Sequence, residues 1–312
     1  MAKLTFLDLA KRVLTEEKRP LSPSEIWKIA EARSYTALLD SQGKTPAQTL
    51  YSVIYTNARD DPDSVFVKVG ARPNRYYLRA LAAATKPADL EKAVAAEDTV
   101  PDVYEFDESD LHPFLAYFAR LQFKAFTKTI RHNRSPKKEF GEWVHPDVVG
   151  VYFPVEDWKS EVLDLSNATG NIAVKLYSFE LKKKLSFTNL REAFFQAVSN
   201  SSWANEGYLV AADISTDEDF VAELRRLSSS FGIGVIALAL DDPDSSEVVI
   251  PAKEREVLDW EAMNKLAMNK DFQDLLVRVK NDLQTNEIIH EKYDALPSQE
   301  DLSNRIRRKK SG

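Results

Sequence analysis

The sequence predicts two folded parts: three helices closed by a β-hairpin, then an α/β domain (α+β in its mixture of strand directions) on a mixed central sheet. Three observations carry this. Apolar residues recur at helical spacing from Leu4 to Ile54 and then alternate over two short segments. An acidic, Ala-rich stretch from Leu81 to Asp110 separates this region from the rest. Beyond it, two strongly apolar runs, Tyr208 to Ala212 and Ile233 to Leu240, flank a segment of helical periodicity, as parallel strands covered on both faces do.

In the first part, Thr5 to Glu17 places Phe6, Leu9, Ala10, Val13 and Leu14 on one helical face. Ser22-Pro23-Ser24-Glu25 supplies a cap, a proline at the first helical position and an acid at the third, opening a second helix through Ala32. A third helix starts at Thr45-Pro46 and turns Leu50, Val53 and Ile54 inward. After a turn at Asp60 to Asp63, Val65 to Val69 and Arg75 to Leu78 alternate across Gly70 to Asn74 as a hairpin. Three helices and a hairpin in this order make a winged helix.

In the second part, Leu111 to Thr129 reads as one helix, with Phe114, Leu115, Phe118, Leu121 and Phe126 inward. Arg120, Lys124, Lys128, Arg131, Arg134, Lys137 and Lys138 follow with no acid between them until Glu139, so Lys124, Lys128 and Arg131 are candidates for phosphate contact. A solvated basic face is the plain alternative. Trp143 to Phe153 and Ile172 to Leu185 are β-branched and aromatic, with a turn at Gly170 between them. A helix from Thr188, a strand through Tyr208 to Ala212, a second helix and a second buried strand complete the α/β order. The tail from Asn286, ending Arg305-Ile306-Arg307-Arg308-Lys309-Lys310, is expected to be a disordered basic arm.

Composition narrows the classes of function. With 312 residues, 44% apolar and 29% charged, the chain has material for two cores. It has no cysteine, which excludes thiolate metal sites, cysteine nucleophiles and disulfides and fits a reducing cytoplasm. No apolar run approaches the roughly 20 residues of a membrane span. The net charge of −7 is uneven: residues 1–85 carry 13 Lys/Arg against 9 Asp/Glu, while residues 86–111 carry 2 against 9. His112, His132, His145 and His290 form no zinc spacing, and neither a phosphate-binding GxxxxGK[ST] loop nor a GxSxG elbow is present.

The chemistry concentrates at Pro146-Asp147 and, 33 residues after Asp147, Glu180-Leu181-Lys182. Strand alternation over Val174 to Lys182 puts Glu180 and Lys182 on one face. Two carboxylates and one ammonium are the minimal equipment for metal-assisted phosphodiester cleavage: the oxygens hold a hard cation and the lysine steadies the attacking water. His145, Glu139 and Glu142 flank the motif; a surface or structural role is the ordinary one for each.

The segment from about Leu4 to Leu81 resembles the HARE-HTH family of winged helices through LTFLDLAKRVLTEEKRPLSPSEIWKIA, GKTPAQTLYSVIYTNARD and FVKVGARPNRYYLRAL. That resemblance implies a duplex-DNA module, proposed in the family to distinguish modified from unmodified DNA. The third helix would then carry Lys44, Thr45, Gln48 and Ser52 toward the major groove, and Lys68, Arg72 and Arg75 would meet the phosphate backbone. Winged helices also serve as protein-interaction modules, and the weak positive charge of this part leaves that alternative open.

Residues 111 to 250 resemble the PD-(D/E)xK nuclease superfamily, the restriction-endonuclease-like fold, through Pro146-Asp147, Glu180-Leu181-Lys182 and Gln196 on the following helix. The resemblance implies that Asp147, Glu180 and the Leu181 carbonyl hold Mg2+, with Mn2+ as substitute. Lys182 would position or deprotonate water, and Gln196 would orient the site.

The expected organisation is a winged helix at 1–81, an acidic linker at 82–110, a nuclease domain at 111–285 and a basic tail at 286–312. The expected activity is magnesium-dependent, restriction-type cleavage of double-stranded DNA, with dependence on base modification. Double-strand cutting would favour a two-fold homodimer. The alternatives are a noncatalytic DNA-binding regulator and a defence-complex scaffold built on a nuclease-like fold.

Overall fold

The computed structural model describes residues 3–39, 46–69, 75–85, 106–131, 145–169 and 174–310. The chain divides into two compact units, Met1–Tyr104 and Glu105–Gly312.

In the first unit, α1 (Phe6–Glu17) and α2 (Pro23–Ala32) each start in a reciprocal capping box, Thr5 with Asp8 and Ser22 with Glu25. These boxes satisfy backbone amides that no intrahelical carbonyl reaches. α3 (Pro46–Asp60) turns Leu50 and Ile54 against Leu9, Val13 and Ile26. β1 (Phe66–Val69) and β2 (Arg75–Leu78) pair antiparallel from Phe66↔Leu78 to Val69↔Arg75. Leu21 bridges Tyr76 through 3.0 and 2.8 Å backbone bonds, so the chain ahead of α2 extends the hairpin. A short helix, α4 (Arg79–Ala84), follows directly.

Arg75 departs from expectation. Its first position in β2 faces inward, and it is only 6% exposed, with Nη1 2.8 Å from Glu25 Oε2. The guanidinium thus ties the hairpin to the first turn of α2, a structural role in place of the expected phosphate contact. Lys68, across from Tyr76 in the register, is exposed. Lys44, Thr45 and Arg72 lie outside the described residues; Gln48 and Ser52 lie in α3, where only their backbone is described.

The second unit is a six-stranded mixed sheet in the order β3-β4-β5-β6-β7-β8. β3 (Phe126–Thr129), β4 (Val148–Tyr152) and β5 (Lys175–Leu185) are antiparallel neighbours. β5, β6 (Glu206–Ile214) and β7 (Gly234–Ala237) run parallel, joined by α7 (Leu190–Ser199) and α8 (Glu218–Phe231). β8 (Glu247–Ile250) closes the far edge antiparallel to β7. The parallel pair at the centre agrees with the apolar runs in the sequence, because strands buried on both faces have no polar alternation to show.

On one face, α5 (His112–Phe123) and α11 (Gln299–Lys310) cover Val148, Phe179, Leu181, Val210 and Ile236. The other face packs α7 and α8 on Leu209, Ala211 and Val235. On that same side of β4, α9 (Trp260–Leu266) and α10 (Lys270–Thr285) cover Val149 and Val151. A further helix, α6 (Ser160–Ala168), lies between β4 and β5 in the chain. Gly150 is required by close packing across β4 and β5: a Cβ there would stand 2.8 Å from the ring of Phe179.

Two expectations are corrected. The helix from Leu111 does not run to Thr129: Lys124 takes a left-handed conformation (φ 53°) that ends α5, and Phe126–Thr129 becomes the edge strand β3. Arg120, Lys124, Lys128 and Arg131 therefore do not project from one helix, and Arg134, Lys137 and Lys138 lie outside the described residues. The tail from Asn286 is also no loose arm among the described residues. Tyr293 is buried and donates to Asp282 Oδ2 at 2.6 Å, while Leu302 of α11 is 0% exposed within the core.

Candidate functional site

Local chain geometry brings the predicted acids together. The antiparallel ladder between β4 and β5 ends at Val148↔Phe179, so the next pair outward is Asp147 and Glu180, on the same face of the sheet. Asp147 is held there by backbone on both sides: its carbonyl accepts from Ile130 N–H at 2.9 Å, and its Oδ2 accepts from Leu181 N–H at 2.8 Å. In an extended strand the N–H and C=O of one residue point to the same side, so the Leu181 carbonyl also faces Asp147.

Glu180 is 1% exposed, and its carboxylate is bracketed by Lys182 Nζ at 2.9 Å on Oε1 and Asn200 Nδ2 at 3.0 Å on Oε2. Burial and then the neighbouring Asp147 push its pKa up to about 7, against the opposing pull of Lys182 and Asn200. Burial opposes the charge of Lys182, yet Glu180, Asp147 and Glu108 outweigh it and hold the ammonium above its ordinary pKa. The cluster thus carries more negative charge than its lysine neutralises.

That excess tests the fit of a cation. Among the described residues, no group of three His, Asp or Glu side chains could hold a metal ion. Two carboxylates and a strand carbonyl suit magnesium, which keeps several waters and commonly takes one or two protein carboxylates plus substrate phosphate. Asp147, Glu180 and the Leu181 carbonyl fit that donor set by chemistry, with Glu180 and Asp147 near enough to raise each other's cost of ionisation.

Other expected residues fall elsewhere. Gln196 is half-buried on α7, but among the described residues its side chain makes no hydrogen bond with Asp147, Glu180 or Lys182; its carbonyl accepts from Asn200 N–H at 2.9 Å. Lys124 pairs with Asp157 at 2.7 Å, and Lys128 Nζ donates to the Lys292 carbonyl at 3.3 Å. The backbone of Arg131 is fixed by Asp271 and Asn269, while its side chain is exposed. His145 is buried and offers its carbonyl to Asn200 at 3.0 Å. Glu139 and Glu142 lie outside the described residues.

Sequence reading missed Asn200 and Glu108. Asn200 sits just past the end of α7, one turn beyond Gln196 on the same helix side. Glu108 belongs to a 3-10 turn (Glu108–Leu111) ahead of α5, inside the acidic stretch read as linker.

The profile of the HARE-HTH family, whose description names ASXL proteins and restriction endonucleases among the carriers of this helix-turn-helix domain, matches residues 4–81. That span coincides with the three helices and hairpin of the first unit. No significant match was found among curated proteins or among solved structures. No helix among the described residues is long and apolar enough to cross a membrane.

Proposed function

We propose that the chain is a metal-dependent DNA endonuclease of restriction type, in which the HARE-HTH segment binds duplex DNA and the mixed-sheet unit, with a restriction-endonuclease-like arrangement, hydrolyses phosphodiesters. The observation that carries the reading is the outward register pair Asp147 and Glu180, with Lys182 on the same strand face 2.9 Å from Glu180. The family description supports it by naming restriction endonucleases among the proteins that carry this helix-turn-helix.

A divalent cation held by Asp147, Glu180 and the Leu181 carbonyl would supply Lewis-acid charge against the phosphate and acidify water. The protein's own groups do the rest. Asp147 is oriented by the Leu181 amide, which leaves its second carboxylate oxygen to serve as a ligand beside Glu180. Without a cation, burial opposes the charge of Lys182 but Glu180, Asp147 and Glu108 outweigh it, so the ammonium is available to orient water or steady charge on the phosphate. In the first unit, α3 would enter the major groove and the exposed Lys68 of the hairpin would meet phosphate.

Sensing of base modification belongs to the α3 side of this reading, since a groove-bound helix meets groups on base edges while a nuclease grips backbone and metal. Incubating the full chain and Mg2+ with matched plasmids that are unmodified, methylated or hydroxymethylated tests it. Preferential cutting of one plasmid, abolished by EDTA, is expected. Uniform cutting would remove the modification dependence, and robust cutting in EDTA would remove the metal.

A further inference from the structure

We propose that Asn200 is the positioning residue of this site: its buried side-chain amide holds Glu180 and the segment 145–147 in one fixed relation, so that both carboxylates present themselves to a cation together. The inference rests on the nuclease reading of Asp147, Glu180 and Lys182.

Asn200 is 1% exposed and its main chain is anchored three ways. Its N–H donates to Gln196 O at 2.9 Å, and its carbonyl accepts from Ser178 Oγ at 2.8 Å and Trp203 Nε1 at 2.7 Å. Ser178 is two residues before Glu180 on the same face of β5, so Asn200 grips that strand at two successive inward positions. With the backbone fixed, the planar amide has two hydrogens on one nitrogen. Both are used, one on Glu180 Oε2 and one on His145 O, each at 3.0 Å.

A single planar donor thus spans the two segments that carry the ligands. Because an amide nitrogen only donates, it orients Glu180 without adding charge or competing for a cation. The other end of the side chain argues in the same direction. Asn200 Oδ1 is buried and makes no hydrogen bond among the described residues. The side chain is thus held through its donor end, by Glu180 and by the His145 carbonyl.

The test compares the full-length wild type with Asn200→Ala and with Asn200→Ser, which retains one small donor. Mn2+ affinity is read by electron paramagnetic resonance without DNA, DNA affinity in EDTA, and kcat and KM on a plasmid substrate. Positioning predicts roughly 10- to 100-fold weaker Mn2+ binding and a comparable fall in kcat, with KM and DNA affinity in EDTA within about twofold and the serine variant intermediate.

Wild-type Mn2+ affinity and kcat in a folded alanine variant would overturn the role of Asn200 while leaving the nuclease reading intact. If neither variant folds, Asn200 belongs to the core alone and the inference fails. Wild-type protein whose Mn2+ binding is indifferent to Asp147→Ala would instead overturn the nuclease reading, and the positioning role with it.

Discussion

The Leu181 amide donates to Asp147 Oδ2 at 2.8 Å, immediately beyond the last paired residues of β4 and β5. A backbone donor that the ladder would otherwise leave unpaired is satisfied by a side chain, and the same bond sets the direction of that carboxylate. Site and fold therefore share one interaction, which makes Asp147→Ala informative for both. Asp147→Asn, able to keep an acceptor on the Leu181 amide, is expected to hold its melting temperature better than Asp147→Ala while losing cation binding equally. Thermal melts beside Mn2+ titration check this pair.

The pH dependence follows from Glu180, whose pKa burial and then Asp147 raise to about 7. A carboxyl raised on folding contributes stability that is fully present below its unfolded value near 4.5 and lost as pH climbs through about 7. Metal-free protein is thus expected to lose stability steadily between these limits. Glu180→Gln, neutral throughout, should flatten the slope. Saturating Mg2+, which favours the ionised carboxylate, should stabilise the wild type more at pH 8 than at pH 5.5. Melting curves across pH, with and without Mg2+, decide it; a wild-type slope unchanged by Glu180→Gln would count against the assignment.

Lys68 and Arg75 occupy one hairpin but are expected to behave oppositely. Lys68→Ala, at an exposed position, should weaken DNA binding on every sequence and reduce the slope of log K against log salt by about 0.9. Arg75→Ala should lower stability, by roughly 1–3 kcal/mol, less than for a fully buried pair because Glu25 keeps some water contact. Salt-dependent binding isotherms and denaturant melts separate the two. Equal effects of both on binding with no loss of stability would return Arg75 to the DNA surface.

The C-terminal helix should be structural. Leu302→Ala removes a fully buried side chain from the core cluster it shares with α5, at a cost of about 2–5 kcal/mol. Urea unfolding measures it, and a change below about 0.5 kcal/mol would contradict the packing described.

What was legible in the sequence follows the reach of each signal. The Ser22 capping box, the pairing of the two hairpin strands and the central parallel strands rest on local pattern, and Glu180 and Lys182 share a face by strand alternation alone. Arg75 reads as a surface residue because strand alternation implies one solvated face, whereas all four residues of β2 are buried and Glu25, 50 residues away in sequence, takes the guanidinium. The α5–β3 break at Lys124 was hidden because apolar spacing ran on through Phe126, and only a left-handed residue marks it. The tail looked disordered because of its charge, although Tyr293 and Leu302 anchor it. Asn200 had no motif to announce it: its role exists only where the end of α7 meets β5.

The central claim is tested most directly by plasmid cleavage with purified wild type and with Asp147→Ala, Glu180→Gln and Lys182→Ala, side by side in Mg2+ and in EDTA. Wild type should cut in Mg2+ alone. Each variant, folded and binding DNA as wild type does, should fall by at least about a thousandfold, the loss of roughly 4 kcal/mol of transition-state stabilisation. Equal cleavage by all four proteins, or none by a folded, DNA-binding wild type across the modified and unmodified plasmids, would contradict the account.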